Sequence, residues 1–153
     1  MRADRRIRQV TGEKRDYMPL LLLGDEEETL IEGYLDRGEL FVMEEGEVAR
    51  AVCVVTQESP GCYELQNIAV APEYQRQGLG RAMVEFLWRR YPDMKVLRLG
   101  TGDSPSTVGF YQALGFEERG REKDHFLRYY SRPIYEGGKR LRDRVLFEKR
   151  TAP

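Results

Sequence analysis

The segment Leu65 to Arg81, LQNIAVAPEYQRQGLGR, leads from a strand-like run into a long amphipathic helix through the string Gln-x-x-Gly-x-Gly, Gln75 to Gly80. A helix start leaves its first backbone N–H groups without partners inside the helix, and the aligned peptide dipoles make that end positive. Glycine at 78 and 80 removes side chains that would hold an anion away from those amides, so the loop suits a phosphate or diphosphate. The alternative is that the glycines only let the chain turn and bring the helix close to a sheet. Two other phosphate motifs are excluded. The string Gly-x-x-x-x-Gly-Lys-Ser/Thr occurs nowhere. A dinucleotide fingerprint needs glycine or alanine where Met83 stands, and the preceding strands are joined by hairpins, not by a helical crossover. ATP and NAD are therefore disfavoured. The single histidine, His125, is of a type whose ordinary pKa of about 6.5 suits base work, and a surface or structural use is the favoured reading. Cys53 and Cys62 lie in strand-like runs and read as small hydrophobes, with no disulfide, metal or nucleophilic role.

These residues need elements to hold them. Ile7 to Val10 reads as a first strand, and Tyr17, Met18, Leu21 and Leu22 fall at helical spacing, with Pro19 compatible only with a first turn. Asp25 to Glu28 place acid at a second helix start, and Leu30, Ile31, Tyr34 and Leu35 form its apolar stripe before Gly38. Leu40 to Glu44 and Val48 to Thr56 flank a Glu45-Gly46 hairpin turn, and Tyr63 to Val70 follows the turn Ser59-Pro60-Gly61. Gly78 to Tyr91 is a helix with Leu79, Ala82, Met83, Phe86, Leu87 and Tyr91 on one face, predicted to pack on a sheet. Val96 to Leu99 reads as a short strand. Ser104-Pro105 reads as the start of a helix whose inner face is Thr107, Phe110, Tyr111 and Leu114 and whose stop is Gly115. Strand-like pieces follow at Asp124 to Tyr130 and Arg144 to Glu148, bridged by the turn-prone Arg132 to Lys139. The order predicts a mixed α/β (α+β) fold, one sheet with helices on its faces.

At 153 residues the chain is expected to form one domain, 1–153, large enough for a core without staples. Lys and Arg number 25 against 26 Asp and Glu, and a net charge of -1 argues against nucleic acid as an obligatory partner. The longest apolar run, Ala51 to Val55, is far short of the roughly 20 residues that span a bilayer, so no membrane association is expected. Met1 to Arg8 carries arginines with no apolar stretch behind them, which does not fit a secretory signal and makes the cytoplasm the expected compartment.

The run IAVAPEYQRQGLG resembles motif A of the Gcn5-related N-acetyltransferase (GNAT) superfamily, with its signature Gln/Arg-x-x-Gly-x-Gly/Ala. About thirty residues on, SPSTVGFYQALGF resembles the family's motif B helix ending in Tyr-x-x-x-Gly-Phe, and the element order from Ile7 to about Glu148 agrees. The tail HFLRYYSRPIYEGGKRLRD also looks like a bacterial subset with a Pro-Ile-aromatic-Glu-x-Gly segment. The resemblance implies a mostly antiparallel sheet of about seven strands flanked by about four helices. It implies acetyl-CoA as co-substrate and no metal, with transfer of the acetyl group to a primary amine by direct attack in a ternary complex. The pyrophosphate would meet the amides of Gln75, Arg76, Gln77, Gly78, Leu79, Gly80 and Arg81, and the pantetheine would pair like a strand with Ile68, Ala69 and Val70. Tyr111 takes the position of the tyrosine beside the coenzyme sulfur, the amide near Val70 that of the oxyanion donor, and Glu64 that of a carboxylate base. For the base, Glu64, His125 and water stay open; Asn67 either lines the same cavity or lies at the surface. Where the family often has an asparagine seven residues before the tyrosine, this chain has Ser104, a coenzyme contact or a helix cap, with Asp103 as a neighbour that could compensate. The alternative function is a non-catalytic acyl-CoA sensor or subunit of the same fold. Tyr129, Tyr130 and Tyr135 either wall the pocket of an unidentified amine acceptor or pack a homodimer.

Overall fold

Leu40 to Met43 and Ala51 to Val55 are buried residue after residue, so the strands they form are covered on both faces. The computed structural model describes residues 5–151, and the N-terminal run read above as lacking a secretory signal lies partly outside them. The described residues fall into two compact units that meet in sequence at Met94 and Lys95.

The first unit holds β1 (Arg5–Val10), a 3-10 turn (Lys14–Tyr17), α1 (Met18–Gly24), α2 (Glu28–Leu35), β2 (Glu39–Glu45), β3 (Val48–Ser59), β4 (Cys62–Val70), a second 3-10 turn (Pro72–Tyr74) and α3 (Leu79–Arg90). Its four strands lie in the order β1-β2-β3-β4, each antiparallel to the next. Alternation along β2 sends Leu40 and Val42 into a cluster with Leu21 of α1 and with Ile31 and Leu35 of α2. Phe41 points the other way and meets Phe86 of α3 edge-on at 5.1 Å between centroids. Tyr91, just past α3, stacks on Tyr63 of β4 at 4.4 Å and donates its hydroxyl to Glu39. Pro19 sits in the first turn of α1, the place where its missing N–H costs nothing. Gly38 closes α2 where a Cβ would stand 2.6 Å from Val54 Cγ1 and 3.0 Å from the Tyr34 carbonyl oxygen. The β3–β4 register slips at Gln66, the extra residue between the pairs Val55–Leu65 and Val54–Asn67.

The second unit holds β5 (Val96–Gly102), α4 (Pro105–Ala113), β6 (Glu117–Glu122), α5 (His125–Arg128), β7 (Tyr135–Glu136), β8 (Lys139–Arg140) and β9 (Arg144–Arg150). Here β9 pairs antiparallel with β5 on one edge and β6 on the other, while β7 and β8 form a separate hairpin. The whole is the expected mixed α/β architecture of seven sheet strands, mostly antiparallel, with five α-helices among the described residues. None of these helices is long and apolar enough to cross a membrane.

Three local expectations are corrected in this unit. The predicted strand at Asp124 to Tyr130 is the single helical turn α5: Asp124 takes a left-handed conformation, and its carbonyl accepts the Leu127 and Arg128 N–H groups. The strand lies earlier, in Glu117–Glu122, where EERGRE is mostly exposed and offers no apolar alternation to read. Phe110, assigned to the inner face of α4, is 39% exposed, while Tyr111 beside it is buried at 6%. β5 also runs to Gly102, three residues beyond the predicted end, because Gly100 to Gly102 keep pairing with Arg144 to Leu146 although glycine signals strand poorly.

Glu44 on β2 is buried at 9% and receives two hydrogen bonds from Arg8 on β1, Nε to Oε1 at 2.6 Å and Nη2 to Oε2 at 3.3 Å. The Arg8 bond holds the Glu44 carboxyl below the usual glutamate range, burial opposing it. A depressed folded pKa contributes stability present above the unfolded value of about 4.3 and lost as pH falls through the folded one. Urea unfolding of Glu44→Gln should therefore show a deficit against wild type at pH 7 that closes as the pH is taken below about 4.

Candidate active site

β4 delivers the chain to the glycine loop. The Ala71 N–H bonds the Arg50 carbonyl at 2.8 Å, which makes Arg50 and Ala71 a hydrogen-bonded pair. In an antiparallel ladder the intervening positions, Val70 opposite Ala51 and Ile68 opposite Cys53, then direct their N–H and C=O groups away from β3. Ala69 is buried in the core beneath α1 and α2. Both ends of this strand segment are thus fixed, and its outward-turned backbone is set by the ladder itself.

The loop that follows turns twice through left-handed conformations, at Arg76 (φ 64°) and Gly78 (φ 81°). The Gln75 side chain folds back, its Nε2 donating to the Val70 carbonyl at 3.1 Å. Gln77 reaches instead toward β1, accepting from Arg5 Nη2 at 3.4 Å. Gly78 is the N-cap residue of α3; no side chain caps the helix, and its first turn carries no acidic residue. The first intrahelical bond runs from the Ala82 N–H to the Gly78 carbonyl at 3.0 Å, so the N–H groups of Gly78, Leu79, Gly80 and Arg81 have no partner within the helix. Leu79 is buried at 3% and offers only its amide, whereas Arg76 and Arg81 are exposed and add positive charge. This first unit therefore brings together the sequence-predicted residues Gln75 to Arg81 at an electropositive, uncapped helix end.

Glu64 and Asn67 share β4 but not a setting. Glu64 is half-buried opposite Thr56. Asn67 is buried at 4% and is no surface residue; its Nδ2 donates to the Leu21 carbonyl and to Tyr34 Oη, each at 2.9 Å. It ties the end of α1 and the stripe of α2 to the strand just after the bulge. Its neighbour across this contact is Gly24, where a Cβ would also press on the Ile68 carbonyl oxygen at 2.9 Å. The sequence signal for this tie was the polar residue in a run otherwise patterned for burial.

In the second unit Ser104 stands at the N-cap position of α4, yet its side chain makes no capping bond. It is 1% exposed, and its hydroxyl lies 3.0 Å from that of Ser106. Asp103 is committed elsewhere: its carboxylate accepts the Arg142 N–H at 3.1 Å and the Asp143 N–H at 3.3 Å and pairs with Lys139 at 3.2 Å. Burial alone would raise the Asp103 pKa, and these contacts outweigh it and hold the group below the usual range. Tyr111 packs against Phe116 and Phe147, with centroids 5.7 and 6.1 Å away. Burial first, and the charge of Glu136 second, push its phenol well above the ordinary value, so it stays protonated. His125 begins α5 with Nδ1 buried and lacking a hydrogen bond, 3.9 Å from Glu122 Oε1. Burial and then Arg144 lower its pKa, against the opposing pull of Glu122. Cys53 is fully buried and its thiol is pushed up to about 12 by that burial, which leaves it inert. Among the described residues no group of three or more His, Cys, Asp or Glu could hold a metal ion.

Residues 36–118 match the family profile described as acetyltransferase (GNAT) domain. The chain belongs to the GNAT acetyltransferase family. It is 33% identical over 129 residues to an uncharacterised N-acetyltransferase of Bacillus subtilis, YvbK, covering 82% of this chain and 83% of that protein. Among solved structures it is similar to a GNAT family acetyltransferase from Elizabethkingia anophelis with acetyl-CoA bound, at 29% identity and a TM-score of 0.89, covering 96% of this chain and 98% of the other. A Bacillus subtilis acetyltransferase in complex with CoA matches at 29% identity and a TM-score of 0.86, over 97% and 100% of the two chains. In this GNAT acetyltransferase the glycine loop Gln75 to Gly80 and Tyr111 both lie within the matched span.

Asn67→Ala would remove the donor to the buried Tyr34 hydroxyl and one of two donors to the Leu21 carbonyl, which keeps the Asp25 N–H at 3.0 Å. Chemical unfolding should show a loss of about 1–3 kcal/mol.

Proposed function

We propose that residues 1–153 form one acetyltransferase domain that moves an acetyl group from acetyl-CoA to a primary amine by direct attack. The observation that carries this is the uncapped, acid-free first turn of α3 beneath two left-handed residues, a set of backbone donors suited to a diphosphate. Gln75 to Arg81 hold the pyrophosphate through those amides, and the outward-turned backbone of Ile68 and Val70 pairs with the amide groups of the pantetheine. The neighbours with acetyl-CoA and with CoA support the choice of coenzyme.

Three chemical tasks remain: a neutral amine, a stabilised tetrahedral oxyanion, and a donor for the departing thiolate. The amine nitrogen bonds to the thioester carbon, the C–S bond breaks, and the thiolate leaves toward Tyr111. The outward N–H near Val70 serves the oxyanion. The raised pKa of Tyr111 means its proton is held tightly, so the phenol stabilises the thiolate by donating a hydrogen bond more than by giving up its proton. Glu64 on β4 is the proposed acceptor of the amine proton, directly or through water. Ser104 is the proposed polar contact to the pantetheine, its hydroxyl not being spent on the helix cap.

Acetyl-CoA at about a hundredfold over its Kd should raise the unfolding temperature by the equivalent of about 2.7 kcal/mol, and ATP or NAD should not. Gly78→Ala carries only the strain of a left-handed Cβ, whereas Gly78→Asp adds a carboxylate where the diphosphate binds; the second should bind acetyl-CoA more weakly than the first by about tenfold or more. Retained affinity in Gly78→Asp would refute the phosphate assignment. Tyr111→Phe should keep the thermal shift and lose roughly tenfold to a hundredfold in kcat, read as thiol release with amines. Because Tyr111 stays protonated, the wild-type kcat should show no descending alkaline limb up to about pH 10. Thiol release that requires an amine also separates this reading from a non-catalytic acyl-CoA sensor.

A further inference from the structure

The tail of the chain carries a carboxylate to the helix that bears Tyr111. Ile134 and Leu141 are buried at 6% and 4%, and the Leu141 N–H bonds the Ile134 carbonyl at 2.8 Å, closing the β7–β8 hairpin. Its turn is Gly137-Gly138, both at positive φ, the pattern of a tight two-residue hairpin. Lys139 donates to the Asp103 carbonyl at 2.8 Å and pairs with its carboxylate, and Leu141 packs where Gly102 leaves room for no Cβ. The hairpin is therefore clamped to the β5–α4 connection by its second strand and its exit. Its first strand ends in Glu136, which accepts a hydrogen bond from the Thr107 hydroxyl of α4.

Thr107 precedes Tyr111 by four residues, one helical turn, so Glu136 is held over the face of α4 that carries the tyrosine. Its charge acts on the Tyr111 phenol through space. Among the described residues Glu136 has no Lys, Arg or His in ion-pair range: the cation opposite it in the hairpin, Lys139, is turned to Asp103. A half-buried carboxylate with a fixed orientation and no cation of its own lacks the partner that such groups usually have.

We propose that Glu136 is a specificity-determining residue that binds the acceptor as a primary ammonium and holds it next to Tyr111. This rests on the reading of Tyr111 as the residue beside the coenzyme sulfur. Substrates of this class carry a protonated primary amine at neutral pH, and neutral molecules of the same shape are excluded. Thr107 fixes one carboxylate oxygen and leaves the other for the ammonium. The hairpin supplies the wall.

The test uses the full chain and two probes of equal size, benzylamine and benzyl alcohol, with binding followed by ligand-observed NMR in the presence of CoA. Wild type should bind benzylamine and not benzyl alcohol. Glu136→Gln, which keeps an acceptor for Thr107, should weaken benzylamine by roughly tenfold or more, and Glu136→Asp should recover part of it. Thr107→Val, which cuts the tie and leaves the charge, should keep the preference for the ammonium. The acetyl-CoA thermal shift should be the same in all three variants. Equal benzylamine binding by wild type and Glu136→Gln, equal binding of both probes, or no benzylamine binding by wild type would each overturn the proposal. Loss of the preference in Thr107→Val as large as in Glu136→Gln would also overturn it, reducing Glu136 to a structural tie. An unchanged kcat in Tyr111→Phe would instead remove the role given to Tyr111 and leave the Glu136 result standing.

Discussion

A helix cannot use its own first N–H groups, and in α3 nothing else among the described residues is arranged to use them. Gly78 has no side chain to cap with, and the turn behind it contains no acid to neutralise the dipole. Such an end is a cost to the isolated fold. The cost persists because the loop ahead of it is constrained on both sides: Gln75 is tied to the Val70 carbonyl, and Leu79 is anchored in the core. The uncapped amides are thus held between two fastened points of the fold.

That frame depends in turn on β4. Its outward-facing backbone at Ile68 and Val70 follows from ladder parity, and parity is set where Ala71 bonds Arg50. The bulge at Gln66 shifts the register upstream of these positions, and Asn67, directly after it, is locked by two hydrogen bonds to α1 and α2. A polar side chain in the core is therefore the fastening between the helices of the first unit and the strand that carries the candidate site. Burial of Leu21, Ile31 and Leu35 against Leu40, Val42, Val52 and Val54 supplies the main stabilisation, and Asn67 specifies how the parts meet.

The second unit solves a different problem, that of placing a tyrosine hydroxyl in an apolar surround without letting it ionise. Phe116 and Phe147 pack the ring, and a nearby carboxylate raises the phenol further. Asp103, which the sequence offered only as a neighbour that could compensate for Ser104, is consumed by the backbone of Arg142 and Asp143 and by Lys139. It works as the anchor of the tail hairpin, and the hairpin brings Glu136 to α4.

The periodicity of apolar residues was enough to read β2 to β4 and helices α1 to α3, because each buries a continuous or regularly spaced face and the period survives in one dimension. The turn into α3 at the glycine loop and the helix that carries Tyr111 were legible for the same local reason: both stretches place particular residues at fixed spacing on adjacent elements. Where the signal failed, the structure was decided by partners far along the chain. β6 is an exposed edge strand of charged residues that exists because β9 pairs with it. Residues 125–128 coil into α5 because the Phe126 N–H is taken by Arg142 and the Asp124 N–H by Asp143. Phe110 and Tyr111 are adjacent aromatics that no pattern separates, and only the packing of α4 exposes one and buries the other. The same holds for Asn67 and Asp103, whose partners lie 46 and 39 residues away. The sequence by itself determined the elements and the chemistry they can offer; tertiary structure decided which polar groups are spent on holding the fold and which are left to act, because hydrogen-bond partners are chosen in space and not along the chain.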